Sequence, residues 1–386
     1  MSKYIVFCAD GTWSGLGQGD GDDQVQPAAT NVLRLFAALD GRITEESLRK
    51  RDEQEKIAYG IDGELKQVAK YLHGVGDSGN AIRKILGGVF GEGFIERIVR
   101  GYTFVSRHYA SGDRIVLAGF SRGAYTVRAL AGMITRMGLL PMQAMLDENG
   151  RHDQERAYRL GIHVWARYRE QAGKRSTLIG YLTEFKGEAI APDRLLQDIP
   201  IDTVAVWDTV GALGIPVHGG KDANRVDVFQ FADLALSPRI AAGFHALAID
   251  EQRADFAPTL WDPRDGVVQR WFCGAHSDVG GGGAPGGFFS TSALRWMIGK
   301  LASRGVLFAP GEAQPVVPTE FCQVHASHRD PPFDLRPHAL RQLPADVLFH
   351  PSVQVFLSGF AAYEAQGLQA WLPPGGRQLE AARLSE

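Results

Sequence analysis

Gly119-Phe120-Ser121-Arg122-Gly123 has the G-x-S-x-G spacing of a sharp strand-to-helix turn that projects a serine hydroxyl into a cleft. The chemistry accounts for the spacing. The turn is strained, and only small residues two positions either side of the serine let strand and helix backbones approach. The helix that follows directs its N-terminal amides at the point where an oxyanion would form. The pentapeptide alone is a weak signal in a chain with 46 glycines. Its context carries it: an apolar run, Arg114 to Phe120, lies immediately before, and an amphipathic stretch, Arg122 to Met137, immediately after.

A serine nucleophile needs a base, and the base needs an orienting acid. In this architecture they follow in the chain order Ser, Asp or Glu, His. Asp208 ends the apolar run Ile201 to Trp207 and is the candidate acid, with a helix-capping role as its alternative. The base must be chosen among 11 histidines. His276 is selected because it directly follows the strand-like run Val267 to Cys273 and precedes a glycine-rich loop. His245 reads as a buried histidine of a helix, His350 is the reserve candidate, and His73 could line the cleft. His325 and His328 have H-x-x-H spacing, but no third ligand accompanies them.

Gly280 to Gly283 lacks the Lys-Ser/Thr ending of a phosphate loop and reads as a close-packed or mobile loop positioning His276. Asp10-Gly11-Thr12 lacks a second aspartate two positions earlier, where Cys8 stands, so an aspartyl-nucleophile reading fails. The turn is instead expected to lie beside the serine. Amides of Gly11 and Thr12 would supply half of an oxyanion hole and that of Arg122 the other half. Asp10, His73 and Asp278 are placed around the site. A metal near Asp10 or Asp278 stays open, with a loop hydrogen bond as the alternative for Asp278. No cofactor is implied.

The elements that must position these residues alternate. Tyr4 to Cys8 reads as a strand, Thr30 to Leu39 as a helix capped by Thr30 or Asn31, and Gln67 to Leu72 as a second strand. Glu92 to Ala110 has apolar residues at helical spacing. The strand and helix flanking Ser121 then follow. This alternation predicts an α/β protein with a mostly parallel sheet covered on both faces. Residues 44–58 are charge-rich and read as a solvated helix or insertion. Residues 141–200 read as a helical insertion or cap, where Met142, Met145, Leu146, Trp165 and Tyr168 fit helix packing better than an acyl-chain pocket. Residues 305–386 read as an irregular extension packed on the core of a single domain, with one helix near 352–366.

The chain has 386 residues, 45% of them apolar and 22% charged, a balance that excludes whole-chain disorder. A net charge of −3 without a basic stripe argues against a nucleic-acid surface. There is no apolar run long enough to span a membrane, and the N-terminal residues enter a strand pattern with no signal-peptide core. Cys8, Cys273 and Cys322 form no metal or disulfide spacing and fit a reducing compartment.

Six blocks carry a resemblance in order: DGTW at 10–13, HGVG at 73–76, GFSRGAYTVRALAGMI at 119–134, WDTVGALG at 207–214, HALAIDEQRADFAPTLW at 245–261 and HSDVGGG at 276–282. HPSV at 350 is a weaker echo. Together they resemble the type VI secretion phospholipase effectors of the Tle-one type and their relatives, over residues 4 to about 300. The chain departs from that pattern at Gly283, where an aromatic residue is common. The resemblance implies an α/β-hydrolase-like fold and a triad of Ser121, Asp208 and His276 hydrolysing acyl esters, those of phospholipids in the effectors. It further implies peripheral contact with a membrane, a secretion-apparatus or immunity-protein partner, and either a cytoplasmic location or export without a signal peptide. A non-catalytic interaction module on the same scaffold, or the same triad acting on a non-lipid ester, thioester or peptide, are the competing readings.

Overall fold

The structure, a computed structural model, describes residues 2–11, 29–50, 52–74, 90–171, 189–210, 235–282, 288–311, 324–329, 333–335, 337–360, 363 and 366–386. Eight strands form one sheet: β1 (Tyr4–Ala9), β2 (Arg42–Ile43), β3 (Glu53–Tyr59), β4 (Leu65–Leu72), β5 (Arg114–Phe120), β6 (Ile201–Trp207), β7 (Ile240–Ala248) and β8 (Val267–Phe272), in the order β2-β3-β4-β1-β5-β6-β7-β8. The six strands from β4 to β8 in that order run parallel, while β2 and β3 form an antiparallel edge. This is an α/β-hydrolase-like fold.

Alternation along each strand sorts the two faces. Ile5 and Phe7 of β1, Ile115 and Leu117 of β5, and Val204 and Val206 of β6 face one way. They meet α2 (Phe90–His108), α3 (Arg122–Met137) and α4 (Gln154–Gln171). Val6 and Cys8, Val116 and Ala118, and Ala205 and Trp207 face the other way, onto α1 (Asn31–Ala38) and α6 (Phe288–Ser303). Because both faces are covered, the central strands are continuous apolar runs, which is why they stand out in the sequence.

Two sequence expectations are corrected. The charge-rich stretch 44–58 contains β3, a strand paired between β2 and β4, rather than a solvated helix. Its charges have partners: Glu53 pairs with Lys70 of β4 at 2.7 Å. The Lys56 ammonium donates to the carbonyls of Phe36, Ala37 and Leu39 at the C-terminus of α1, where a helix end concentrates negative partial charge. His245 lies in strand β7, not in a helix.

Within 141–200, α4 packs in the same layer as α2 and α3. Met145, Trp165 and Tyr168 are buried in that core, and residues 172–188 lie outside the described residues. The C-terminal segment packs on the β8 edge. Phe349 bridges Trp271, and α7 (Pro351–Gly359) contributes Val353, Phe356 and Leu357 to a third apolar cluster with Leu247 and Ile249. Among the described residues, no helix is long and apolar enough to cross a membrane.

Candidate active site

The C-terminal ends of the parallel strands share one rim, where open α/β sheets place their sites. Ser121 follows β5 directly and has φ 56° and ψ −121°. A non-glycine residue in this conformation is held there by its surroundings. The glycines on either side show how. A Cβ on Gly123 would lie 2.1 Å from the carbonyl oxygen of Ala9, and one on Gly119 would lie 2.5 Å from that of Gly123. The crossing of strand and helix leaves no room for a side chain, and Ser121 is lifted to the rim. Arg122 begins α3, so its N–H is one of the first-turn amides that a helix leaves without an internal partner.

Asp208 follows β6 and also has positive φ, at 37°. His276 opens the short helix α5 (His276–Gly280) beyond β8. The three side chains form one chain of hydrogen bonds: His276 Nε2 lies 2.8 Å from Ser121 Oγ, and Nδ1 lies 2.6 Å from Asp208 Oδ2. The pattern fits the neutral tautomer in which Nδ1–H donates to the carboxylate and Nε2 accepts from the hydroxyl. All three residues are buried.

The imidazole sits between two aromatic rings. Phe120 lies 4.6 Å away between centroids, and Phe256 lies 5.1 Å away, edge-on. Its backbone N–H donates to Glu251 Oε2 at 3.2 Å. Glu251 in turn accepts two side-chain bonds from Arg253, each 2.8 Å, and the Arg253 guanidinium lies 3.5 Å from the Phe256 ring centre. Burial pushes the His276 pKa below its ordinary value, with Arg253 acting in the same direction and Asp208 opposing. Burial would raise the Asp208 pKa, but Arg341 and the bond from His276 overcome it and hold the carboxyl well below the usual range.

The remaining sequence candidates have defined places. Asp10 is fully buried after β1. Its Oδ1 accepts from the Gly11 amide at 2.6 Å, and its Oδ2 accepts from Thr30 Oγ1 at 2.6 Å and Tyr71 OH at 2.5 Å. The Gly11 amide is therefore already donated to its neighbour's carboxylate, which corrects the expectation of an open oxyanion donor there. Thr12 lies outside the described residues. His73, just beyond β4, is buried edge-on to Tyr71, and its carbonyl accepts from Arg97. Asp278 accepts from the amides of Ala275 and His325, the loop-bonding role that its position allowed.

His245 accepts from the Thr209 amide, and His350 caps α7 with its ring stacked on Phe272. Neither forms part of the Ser121–His276 contact. A Cβ on Gly280 would strike the Phe120 ring, and Gly281 at φ 79° bridges Thr30. The described part of the glycine run is thus close-packed. Gly283 and Cys322 lie outside the described residues, while Cys8 and Cys273 are buried free thiols. Among the described residues, no group of three His, Cys, Asp or Glu side chains could hold a metal ion.

The sequence reading missed Arg341, which reaches Asp208 from the C-terminal segment, and the Glu251–Arg253 pair beneath His276. The resemblance block 245–261 contains that pair, so its position was marked, but not its contact. Arg341 carries no motif.

A stretch of 151 residues is 31% identical to an uncharacterised protein of Saccharomyces cerevisiae, covering 36% of this chain and 18% of that protein. An uncharacterised protein from Pseudomonas aeruginosa is similar in structure, with a TM-score of 0.44 and 19% identity, over 82% of this chain and 48% of that one. A Tle1 effector bound to the VgrG spike of the type 6 secretion system gives a TM-score of 0.37 and 17% identity, over 74% of this chain and 52% of that one. The chain thus spans about half the length of these solved proteins and a smaller part of the yeast one. The family described as T6SS, phospholipase effector Tle1-like, catalytic domain matches residues 3–300, and the chain belongs to that family.

Proposed function

We propose that this protein is a serine-dependent carboxylic-ester hydrolase acting on lipid esters, with Ser121 as nucleophile, His276 as base and Asp208 as the acid that orients it. The observation that carries the reading is the pair of contacts at 2.8 and 2.6 Å joining the strained serine, the imidazole and the carboxylate. Ser121 Oγ attacks the acyl carbonyl as His276 Nε2 takes its proton, and Asp208 stabilises the imidazolium. The carbonyl oxygen becomes an oxyanion facing the Arg122 amide at the start of α3. His276 then gives its proton to the leaving alcohol, which leaves an acyl-serine. Water, deprotonated by His276, cleaves that ester and restores the hydroxyl.

Family membership supports a phospholipid as substrate and a role in type VI secretion, with a component of the secretion apparatus as a partner. Two measurements test the reading. A fluorophosphonate probe should label the wild type at Ser121 and leave Ser121→Ala unlabelled. Phospholipid vesicles analysed by mass spectrometry should release fatty acid with the wild type, while Ser121→Ala should lose at least about 10³-fold in rate. Equal turnover by the two proteins would sink the assignment.

A further inference from the structure

Arg341 stands 133 positions after Asp208 and beyond the residues that the family match covers. Its guanidinium is buried and grips the carboxylate at two points: Nη1 to Oδ1 at 2.6 Å and Nη2 to Oδ2 at 2.8 Å. The same two nitrogens donate to the carbonyls of Ala248, at the end of β7, and Phe256, each at 2.7 Å. Asp208 Oδ1 also accepts from the Ala248 amide at 3.0 Å, while Oδ2 accepts from His276. A planar fork on a planar carboxylate fixes rotation about the Cβ–Cγ bond. The oxygen facing His276 Nδ1 is thereby aimed by an arginine that is itself tied to β7 and to the Phe256 loop.

We propose that Arg341 is a positioning residue of the site, holding the Asp208 carboxylate in register with His276, so that the segment after residue 300 completes the machinery. The proposal rests on the hydrolase reading above and adds a fourth side chain to it. Arg341 also balances part of the carboxylate's charge. Among the described residues, the charged groups acting on the imidazole are Asp208 after β6 and Glu251 and Arg253 after β7, with Asp278 two positions along α5 and Arg341 on the far side of the Asp208 carboxylate. Behind Asp208 stand His245 of β7 and Arg128 of α3. With the guanidinium gone, more of the Asp208 charge faces His276 and its proton affinity rises.

Arg341→Gln removes charge and fork, whereas Arg341→Lys keeps the charge and loses the fork. The test uses the full chain with p-nitrophenyl butyrate across the pH range, active sites being counted by fluorophosphonate titration. In Arg341→Lys, kcat per active site should fall about tenfold, KM should be nearly unchanged and the acid limb should stay in place. In Arg341→Gln, kcat should fall about 100-fold and the acid limb should move up by about one pH unit. An arginine needed only for folding would change the number of active sites and neither of these quantities.

Wild-type kcat and acid limb in Arg341→Gln would overturn the proposal. So would failure of both variants to fold by circular dichroism, which would make Arg341 a folding element. Full activity in Ser121→Ala would overturn the hydrolase reading together with this one. An inactive Ser121→Ala beside unaltered Arg341 variants overturns the arginine proposal alone.

Discussion

Phe120 lies against the imidazole of His276, centroid to centroid 4.6 Å, and a Cβ placed on Gly280 would fall 2.0 Å from a carbon of that same phenyl ring. The last residue of β5, the imidazole and the glycine loop therefore form one packed unit. Their spacing is set by the absence of a side chain at position 280.

Gly280→Ala should push Phe120 and tilt His276 away from Ser121. The expected outcome is a fall in kcat of about tenfold or more, since small misplacements of a base are costly, with a modest loss of stability because a ring can give. Steady-state kinetics and thermal melting check it. Unchanged kcat in a folded variant would count against the packing account.

Gly123→Ala should behave differently. The added methyl meets backbone, the carbonyl oxygens of Ala9 and Asp10 at 2.1 and 2.5 Å, and neither can move without parting β1 from α3. A stability loss of about 3 kcal/mol or more is expected, with loss of fluorophosphonate labelling. Denaturant titration measures the first and labelling the second.

The pH profile follows from the direction of the His276 shift. In the proposed mechanism His276 must be neutral to accept the serine proton, and burial holds its pKa below the ordinary value of 6.5. The acid limb of kcat/KM for the wild type should therefore have its midpoint below about pH 6.5, with activity flat through neutrality. A midpoint above about 7 would contradict the burial argument.

Asp10 gives a stability prediction of opposite sign to that of a paired surface carboxylate. Burial raises its pKa from 3.8 to about 6, against the hydrogen bonds from Thr30, Tyr71 and Gly11. A raised folded-state pKa favours folding below the unfolded pKa, and that contribution is lost as pH rises through about 6. Asp10→Asn should therefore gain on the wild type by about 2 kcal/mol between pH 4 and 7. Melting curves at the two ends of this range decide it, and a difference independent of pH would refute the titration at Asp10.

Much of the site was legible in the chain because each of its three principal residues follows a run with an apolar stretch at its end. β1, β5 and β6 are buried on both faces and therefore read as unbroken hydrophobic segments. Ser121 and Asp208 come directly after two of these strands, and the glycines at 119 and 123 mark a turn that admits no Cβ. β3 was illegible because its charges are neutralised by partners on other elements, Glu53 by Lys70 of β4 and Lys56 by the end of α1. β7 was misread because Ile240–Ala248 is rich in alanine, and only pairing with β6 and β8 makes it a strand.

The amino-acid order alone determined the sharp turn at Ser121, its preceding strand and following helix, and the parallel character of the sheet, since these depend on neighbours within about twenty positions. Folding decided which histidine among eleven meets Ser121, that the Gly11 amide is spent on Asp10, and that Arg341 clasps Asp208. Those are contacts between residues whose separation in sequence carries no periodic or local trace. They exist because the sheet brings the ends of distant strands to one rim, and low dielectric there makes each buried charge find a partner.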